Sequence, residues 1–367
     1  MTGLDARLVV DLDGFDLDLA VACERGVTAL LGPNGSGKTT ALKALAGLHP
    51  LAGGHVRVDG QVWADGRTHL PPEARSVGMV LADPLLFPHL SLLDNVAFGP
   101  RARGMARAAA RARAAEELGR VGLAELAGRR PAQVSQGQAQ RAALARALAT
   151  DPALLLLDEP LSALDPQTRS ATRTDLAHRL RDYAGVTVLV THDPLDALTL
   201  ADQLLFVEAG RVVQRGTPAE IVARPRSRYV AGVVGLNLLH GRLAADGPPA
   251  LVLPGGEELV VAEVPAGLRA GEELLATVNP AAITLYGERP EASARNLWLL
   301  EVASVTVLGQ RARVRLHGIP RKDAPDDGPA LELVAEVTLP AVAQLGVRTG
   351  ARLWAGVKAT EVEVYPA

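Results

Sequence analysis

Gly32-Pro33-Asn34-Gly35-Ser36-Gly37-Lys38-Thr39-Thr40 follows an apolar run, Val27–Leu31, and opens a helical pattern, Lys38–Ala46, that stops at Gly47. The stretch satisfies G-x-x-x-x-G-K-[ST] in full and in the strand–turn–helix setting the motif needs. Its glycines, Gly32, Gly35 and Gly37, let backbone N–H groups close around phosphate oxygens, and the helix N-terminus adds its dipole. Pro33, Asn34 and Ser36 complete the turn, and Thr40 continues its first helical turn. Lys38 is placed to reach the β- and γ-phosphates of a nucleotide, and Thr39 to ligate Mg2+.

Working outward, Leu154–Leu157 reads as a buried strand that ends in Asp158-Glu159-Pro160. An acid at a strand end can hold Mg2+, directly or through water, which is the role expected of Asp158. Glu159 is placed to polarise an attacking water. A solvated turn is the plainer reading, but the preceding phosphate loop and the following proline argue against it.

The bulk properties allow this chemistry and exclude others. At 367 residues the chain suits two domains. It is 48% hydrophobic and 22% charged, with a formal net charge of -3. That composition predicts ordinary cores and no nucleic-acid partner. A single cysteine, Cys23, rules out an internal disulfide and fits a reducing compartment. Met1–Leu12 is acidic and strand-like, without the basic start and apolar centre of a secretory signal. No apolar run reaches 18 residues, so any membrane crossing falls to another chain. Basic residues are mostly arginine, with lysine only at Lys38, Lys43, Lys322 and Lys358.

Residues 1–230 alternate strand and helix patterns and predict an α/β domain. Strands are expected at Leu8–Leu12, Val56–Val58, Val77–Val80 and Val186–Thr191. A hairpin is expected between Leu204–Val207 and Arg211–Gln214. Residues 101–127, rich in alanine and arginine, and the helix Gln138–Leu148 suggest a helical subdomain near 90–165, followed by a helix over Asp165–Asp182. Beyond about 230 the pattern changes to short alternating strands, at Glu258–Val261, Leu274–Val278, Leu297–Val307, Arg311–Leu316, Leu331–Val337 and Ala351–Val364. Residues 235–367 are therefore expected to form a small all-β, OB-like barrel domain, with an exposed loop at 320–329. Two weakly similar lobes are compatible with this pattern.

With the phosphate loop and acid pair in place, the chain resembles the ATP-binding subunits of ABC transporters. Val134-Ser135-Gln136-Gly137-Gln138, continued by Gln140-Arg141, resembles the family signature. Leu161-Ser162-Ala163-Leu164-Asp165 resembles the loop that meets the partner subunit, and Thr191-His192-Asp193 the switch histidine. Leu85-Leu86-Phe87-Pro88-His89 resembles the segment beside the membrane-subunit contact, with Phe87 the expected docking residue. The resemblance implies an α/β P-loop NTPase domain, ATP and Mg2+ as ligands, and hydrolysis coupled to transport. It implies a homodimer in which Ser135, Gly137 and Gln138 complete the partner's ATP site, and in which His192 touches the γ-phosphate in cis. Two membrane-spanning permease subunits and a substrate-binding protein are the implied partners, with the chain peripheral on the cytoplasmic face of the plasma membrane. Phe15 is the nearest flat side chain for adenine stacking; packing in the sheet is the alternative reading.

Two positions depart from the family pattern. Ala82 stands where glutamine is usual, which predicts slower or less tightly coupled hydrolysis without loss of ATP binding. Gln136 stands where glycine is usual. The C-terminal third resembles the regulatory domains of importers for oxyanions, metals, sugars and polyamines, most of all that of molybdate importers. The segments behind this are Leu70–Gly78 and Ser293-Ala294-Arg295-Asn296, and an oxyanion bound in the β domain is the implied ligand. Sulfate or thiosulfate, ferric iron, spermidine and sugars remain open as transported substrates. So do a soluble ATPase outside transport and a binding subunit that does not hydrolyse.

Overall fold

The computed structural model describes every residue except 1–2, 13, 163, 292–293 and 320–330, and the side chains of 166 and 167. The expected loop at 320–329, Ala163 and Ser293 thus lie outside the described residues. The chain divides into two compact units, Met1–Ile221 and Val222–Ala367.

The first unit opens with β1 (Leu4–Leu12), β2 (Phe15–Cys23) and β3 (Gly26–Leu31). Helix α1 (Lys38–Ala46), β4 (Gly53–Val58), β5 (Gln61–Ala64) and β6 (Val77–Val80) follow. Next come helices α2 (Leu92–Ala102), α3 (Arg107–Arg120) and α4 (Gln136–Leu148). The unit continues through β7 (Leu154–Asp158), α5 (Pro166–Asp182), β8 (Val186–Val190) and α6 (Pro194–Leu200). The hairpin β9 (Gln203–Glu208) and β10 (Arg211–Gly216) precedes α7 (Pro218–Ala223), which runs across the division.

A six-stranded sheet in the order β10-β9-β3-β8-β7-β6 forms the centre. Its strands are parallel except for the β9–β10 hairpin. Strands β7 and β8 are buried along their whole length, which explains their continuous apolar sequence. An antiparallel sheet, β2-β1-β4-β5, lies alongside. One core built from Leu8, Leu19, Leu42, Leu45, Trp63, Leu156 and Val188 joins both sheets to α1. The β9–β10 turn is Ala209-Gly210, both at positive φ, as a two-residue hairpin requires.

Helices α2 to α4 share a separate core in which Ala110, Ala114, Ala142 and Ala145 are fully buried. Small side chains let these helices approach closely. The helical part ends at Leu148 rather than near 165, because Leu154–Asp158 returns to the central sheet. Buried Glu117 of α3 is held by Arg113 and Arg120 on its own helix and by Arg179 of α5.

The second unit starts with α8 (Arg228–Val234), and Ala231 packs with Leu238, Leu275 and Tyr365. The division after Ile221 falls before the expected boundary near 230, and the Tyr365 hydroxyl donates to Pro225 O at 2.6 Å within this unit. Strands β11 (Asn237–Leu243), β12 (Ala250–Val252), β13 (Glu258–Val260), β14 (Glu273–Val278), β15 (Thr284–Tyr286) and β16 (Asn296–Leu308) come next. The chain ends with β17 (Arg311–Gly318), β18 (Glu332–Thr338), α9 (Leu339–Gln344), β19 (Arg352–Val357) and β20 (Val362–Pro366). They build two antiparallel five-stranded sheets, β13-β12-β11-β14-β20 and β15-β19-β16-β17-β18. The second curls into a half-barrel, its end strands β15 and β18 approaching each other. The single strand expected over Ala351–Val364 is broken after Val357 by a 3-10 turn at Ala359–Glu361.

The unit is a duplication. Gly267, Arg269, Gly271, Leu274, Ala276, Val278 and Tyr286 recur at the same spacing as Gly346, Arg348, Gly350, Leu353, Ala355, Val357 and Tyr365. The last strand of each repeat is exchanged: β15 pairs with β19, and β20 with β14. Two asparagines tie the two sheets to each other, joining β11 to β18 and β16 to β13. Asn237 Oδ1 accepts from Val334 N at 2.7 Å, and its Nδ2 donates to Val334 O at 2.9 Å. Asn296 grips Val260 in the same way, at 2.7 and 2.9 Å. Among the described residues no helix is long and apolar enough to cross a membrane.

Candidate functional site

The phosphate loop leaves the C-terminal end of β3. Asp158 ends β7, and His192 lies two residues beyond β8. These three strands are adjacent, with Leu30 and Asp158 both facing Val190 in the register. The parallel topology therefore delivers all three segments to one crevice, the usual ligand position in an open α/β sheet.

Within the loop, Gly35 and Gly37 take φ of 79° and 98°, which side-chain-bearing residues rarely adopt. A Cβ at Gly32 would stand 2.1 Å from the Val207 carbonyl oxygen, so the loop can hug the sheet only with glycine there. Helix α1 starts at Gly37 with no side chain capping its first N–H groups, and Ser36 presents a buried hydroxyl without a protein partner. These are the donors an anion would satisfy. Lys38 Nζ donates to Gly32 O at 2.8 Å and Pro33 O at 2.9 Å, folding the ammonium over the loop. Burial lowers its pKa, while Glu159 and Asp158 oppose that shift. Pro33 is half-buried and Asn34 exposed, and Thr40 lies in the first turn of α1.

Thr39 Oγ1 donates to Asp158 Oδ2 at 3.1 Å. Burial raises the Asp158 carboxyl above its ordinary range, with Thr39 and Lys38 pulling the other way. A hydroxyl and a carboxylate so paired fit a hard cation, which prefers oxygen ligands and would favour the ionised acid. Glu159 sits at φ 49°, a strained backbone for this residue. Its N–H donates to Val190 O at 2.9 Å, and its Oε1 lies 3.0 Å from His192 Nδ1. The acid pair and histidine expected from sequence therefore meet with the phosphate loop.

Ser135 and Gln138 bond each other instead. Ser135 caps α4, its hydroxyl accepting from Gln138 N at 3.2 Å while Gln138 Oε1 accepts from Ser135 N at 2.9 Å. A Cβ at Gly137 would stand 2.4 Å from Leu164 Cδ2, so this helix start abuts the Leu161–Asp165 loop. Gln136 is exposed at that helix start. Phe15 starts β2, packs on the main core, and has its ring beside Gly37.

Two residues of α4 act on the loop after β6 in a way the sequence did not signal. Gln140 is buried and donates to Leu81 O at 3.1 Å. Arg146 donates to Leu85 O at 2.8 Å and Pro84 O at 3.0 Å, with its guanidinium 5.8 Å from the Phe87 ring centre. Phe87 packs on Phe98 at 4.6 Å, and Leu85 and Phe98 stay exposed. Ala82 is exposed on the same loop.

Comparison with known proteins places this geometry. The ABC transporter family profile matches residues 16–162, and the TOBE domain profile matches 292–364. The molybdenum import ATP-binding protein ModC of Mycobacterium tuberculosis is 41% identical over 373 residues, spanning 100% of this chain and 98% of that protein. The spermidine/putrescine import ATP-binding protein PotA of Pseudomonas fluorescens is 43% identical over 243 residues, 65% of this chain and 64% of its own. The Fe(3+) ions import ATP-binding protein FbpC of Agrobacterium fabrum is 41% identical over 272 residues, 73% of this chain and 75% of its own. Likeness along the whole length, joined to a phosphate loop, acid pair and histidine in one crevice, shows that the chain belongs to the ATP-binding, ATP-hydrolysing subunits of ABC transporters.

Proposed function

We propose that this chain powers the import of molybdate. The observation that carries the substrate is the match to the molybdenum import protein, which includes the C-terminal unit, whereas the polyamine and iron proteins match shorter parts of the chain.

ATP binds with its phosphates on the uncapped start of α1, between the loop N–H groups, Ser36 and Lys38. Thr39 and Asp158 hold Mg2+, which supplies charge neutralisation to the phosphates. Glu159 accepts a proton from the attacking water as its oxygen bonds to the γ-phosphorus and ADP departs. His192, beside Glu159, contacts the γ-phosphate. In a homodimer the start of α4, with Ser135, Gly137 and Gln138, closes over the ATP of the second copy, as the exposure of Ser135 and Gln136 allows. The exposed Leu85, Phe98 and the half-buried Phe87 receive a permease subunit, so the chain works peripherally at the cytoplasmic face of the membrane, with a binding protein delivering substrate.

The β unit supports an oxyanion ligand. A cleft of about 430 Å³ is lined by the donors Asn279, Thr284, Tyr286 and Lys358, by Ala294, and by the opposing carboxylate of Glu361. Its donors suit a tetrahedral anion. Asn296, by contrast, is engaged with Val260.

Calorimetric titration of the full chain with molybdate, tungstate and sulfate tests the ligand, and heat with sulfate alone would count against molybdate. Glu159→Gln tests the shared site: with saturating ATP it should run as a dimer, and a monomer would contradict the model of two half-sites.

A further inference from the structure

We infer that Arg169 is a positioning residue for hydrolysis, bracing the Leu161–Asp165 loop against the segment that carries His192. The inference rests on the roles proposed above for Glu159 and His192.

Arg169 lies in the first turns of α5, with its side chain three-quarters buried. Its guanidinium reaches two different segments. Nε donates to Leu161 O at 3.1 Å and Nη2 to Ser162 O at 3.2 Å. Nη1 donates to Asp193 Oδ2 at 3.1 Å. Asp193 is itself fixed: its Oδ1 accepts from Leu195 N at 2.8 Å at the start of α6, and its N–H donates to Thr191 Oγ1 at 3.1 Å. On the other side, Ser162 N and Oγ both donate to Glu159 O, at 3.1 and 2.9 Å. Glu159 Oε1 meets His192 Nδ1 at 3.0 Å.

These contacts close a ring that runs from Glu159 through Ser162, Arg169 and Asp193 to His192 and back. Glu159 holds a left-handed backbone conformation, which persists only where the surroundings over-determine it. The ring is that over-determination. A planar fork with five N–H donors can hold two carbonyls and a carboxylate together; an ammonium cannot match that geometry. Neighbouring Arg173 offers a contrast. It binds Asp196 Oδ1 at 2.6 Å and approaches Asp193 at 3.8 Å, both on the histidine side alone. Arg169 touches both sides. A shift of the Leu161–Asp165 loop against a second copy is thereby conveyed to the carboxylate and imidazole that face the γ-phosphate.

Steady-state ATPase kinetics of the full-length protein test this, with Arg169→Ala, Arg169→Lys and Arg173→Ala compared with the wild type. Arg169→Ala should lower kcat on the order of tenfold to a hundredfold, the scale of a displaced catalytic group, with KM for ATP within about twofold. Arg169→Lys should fall between Arg169→Ala and the wild type. Arg173→Ala should lower the melting temperature as Arg169→Ala does, yet keep kcat within about twofold. An Arg169→Ala or Arg169→Lys kcat equal to that of the wild type overturns the inference. So does a parallel loss of kcat in Arg173→Ala, which would mean a structural role only. A wild-type protein that does not hydrolyse ATP would overturn the underlying site reading as well, a result distinct from an active wild type with an indifferent Arg169.

Discussion

Thr39 Oγ1 donates a hydrogen bond to Asp158 Oδ2 across 3.1 Å, tying the first turn of α1 to the end of β7. The Asp158 carboxyl is raised by burial. A raised acid stabilises the fold below the ordinary carboxyl range and loses that contribution as pH climbs through its folded value. At neutral pH the ionised acid is therefore a cost to the ligand-free protein. Asp158→Asn should raise the ligand-free melting temperature at pH 7 by about 2–4 °C. The same change should cut hydrolysis on the order of a hundredfold. Calorimetry and a phosphate-release assay check the two halves, and a lower melting temperature would contradict the first.

Ala82 leaves the loop after β6 without an amide. Restoring one with Ala82→Gln should raise transport-coupled turnover on the order of threefold in a complex reconstituted with the permease. ATP affinity should not change. Unchanged turnover would show that coupling in this protein runs through other contacts, with Gln140 and Arg146 of α4 the first to examine.

Arg75 is buried and donates to Ala44 O, Leu45 O and Leu70 O, at 3.2, 2.7 and 2.9 Å. It thereby serves the C-terminal carbonyls of the helix whose N-terminus forms the phosphate site. Arg75→Met keeps the apolar stem but removes the donor to Leu45 O and Leu70 O, while Ala44 O keeps its bond from Gly47 N, at about 2 kcal/mol. Urea unfolding should show a lower midpoint. Gly47→Ala should destabilise too, because Gly47 has φ 83° and its Cβ would stand 2.7 Å from the Arg75 guanidinium.

The asparagine clasps of the β unit predict a matched pair of defects. Asn237→Ala and Asn296→Ala each strip a backbone N–H and C=O of their partner, at about 2 kcal/mol. Asn296→Asp should not rescue, since its carboxylate would face Val260 O. Thermal unfolding with fluorescence from Trp298 and Trp354 reads this unit, and an unshifted transition would refute the clasp.

The site was legible where chemistry is contiguous. The phosphate loop and the acid pair are single stretches whose strand–turn context is visible in the residues themselves. A role for His192 at the γ-phosphate was expected only through resemblance, and its contact with Glu159 was not foreseen, since 32 intervening residues separate the two. Arg169 and Arg146 carried no signal, and Gln140 stood out only as part of the signature stretch and not for its bond to Leu81, because an arginine or glutamine on an exposed helix face reads the same as one that reaches a distant carbonyl. In the β unit the individual strands were visible by alternation. The break after Val357 was hidden because Lys358–Glu361 contains no glycine or proline, whereas the equivalent turn of the first repeat has Asn279-Pro280. Which sheet receives the last strand of each repeat is a long-range choice that alternation does not encode.

That exchange of β15 and β20 has a consequence for how the β unit came about and how it assembles. Neither repeat is a self-sufficient module: cut between Tyr286 and Asn296, each fragment carries a strand with no sheet to join and a sheet lacking its edge. Two identical copies of one fragment would cure both defects by trading strands, so the present domain has the form of an intertwined homodimer whose two chains became one through gene fusion.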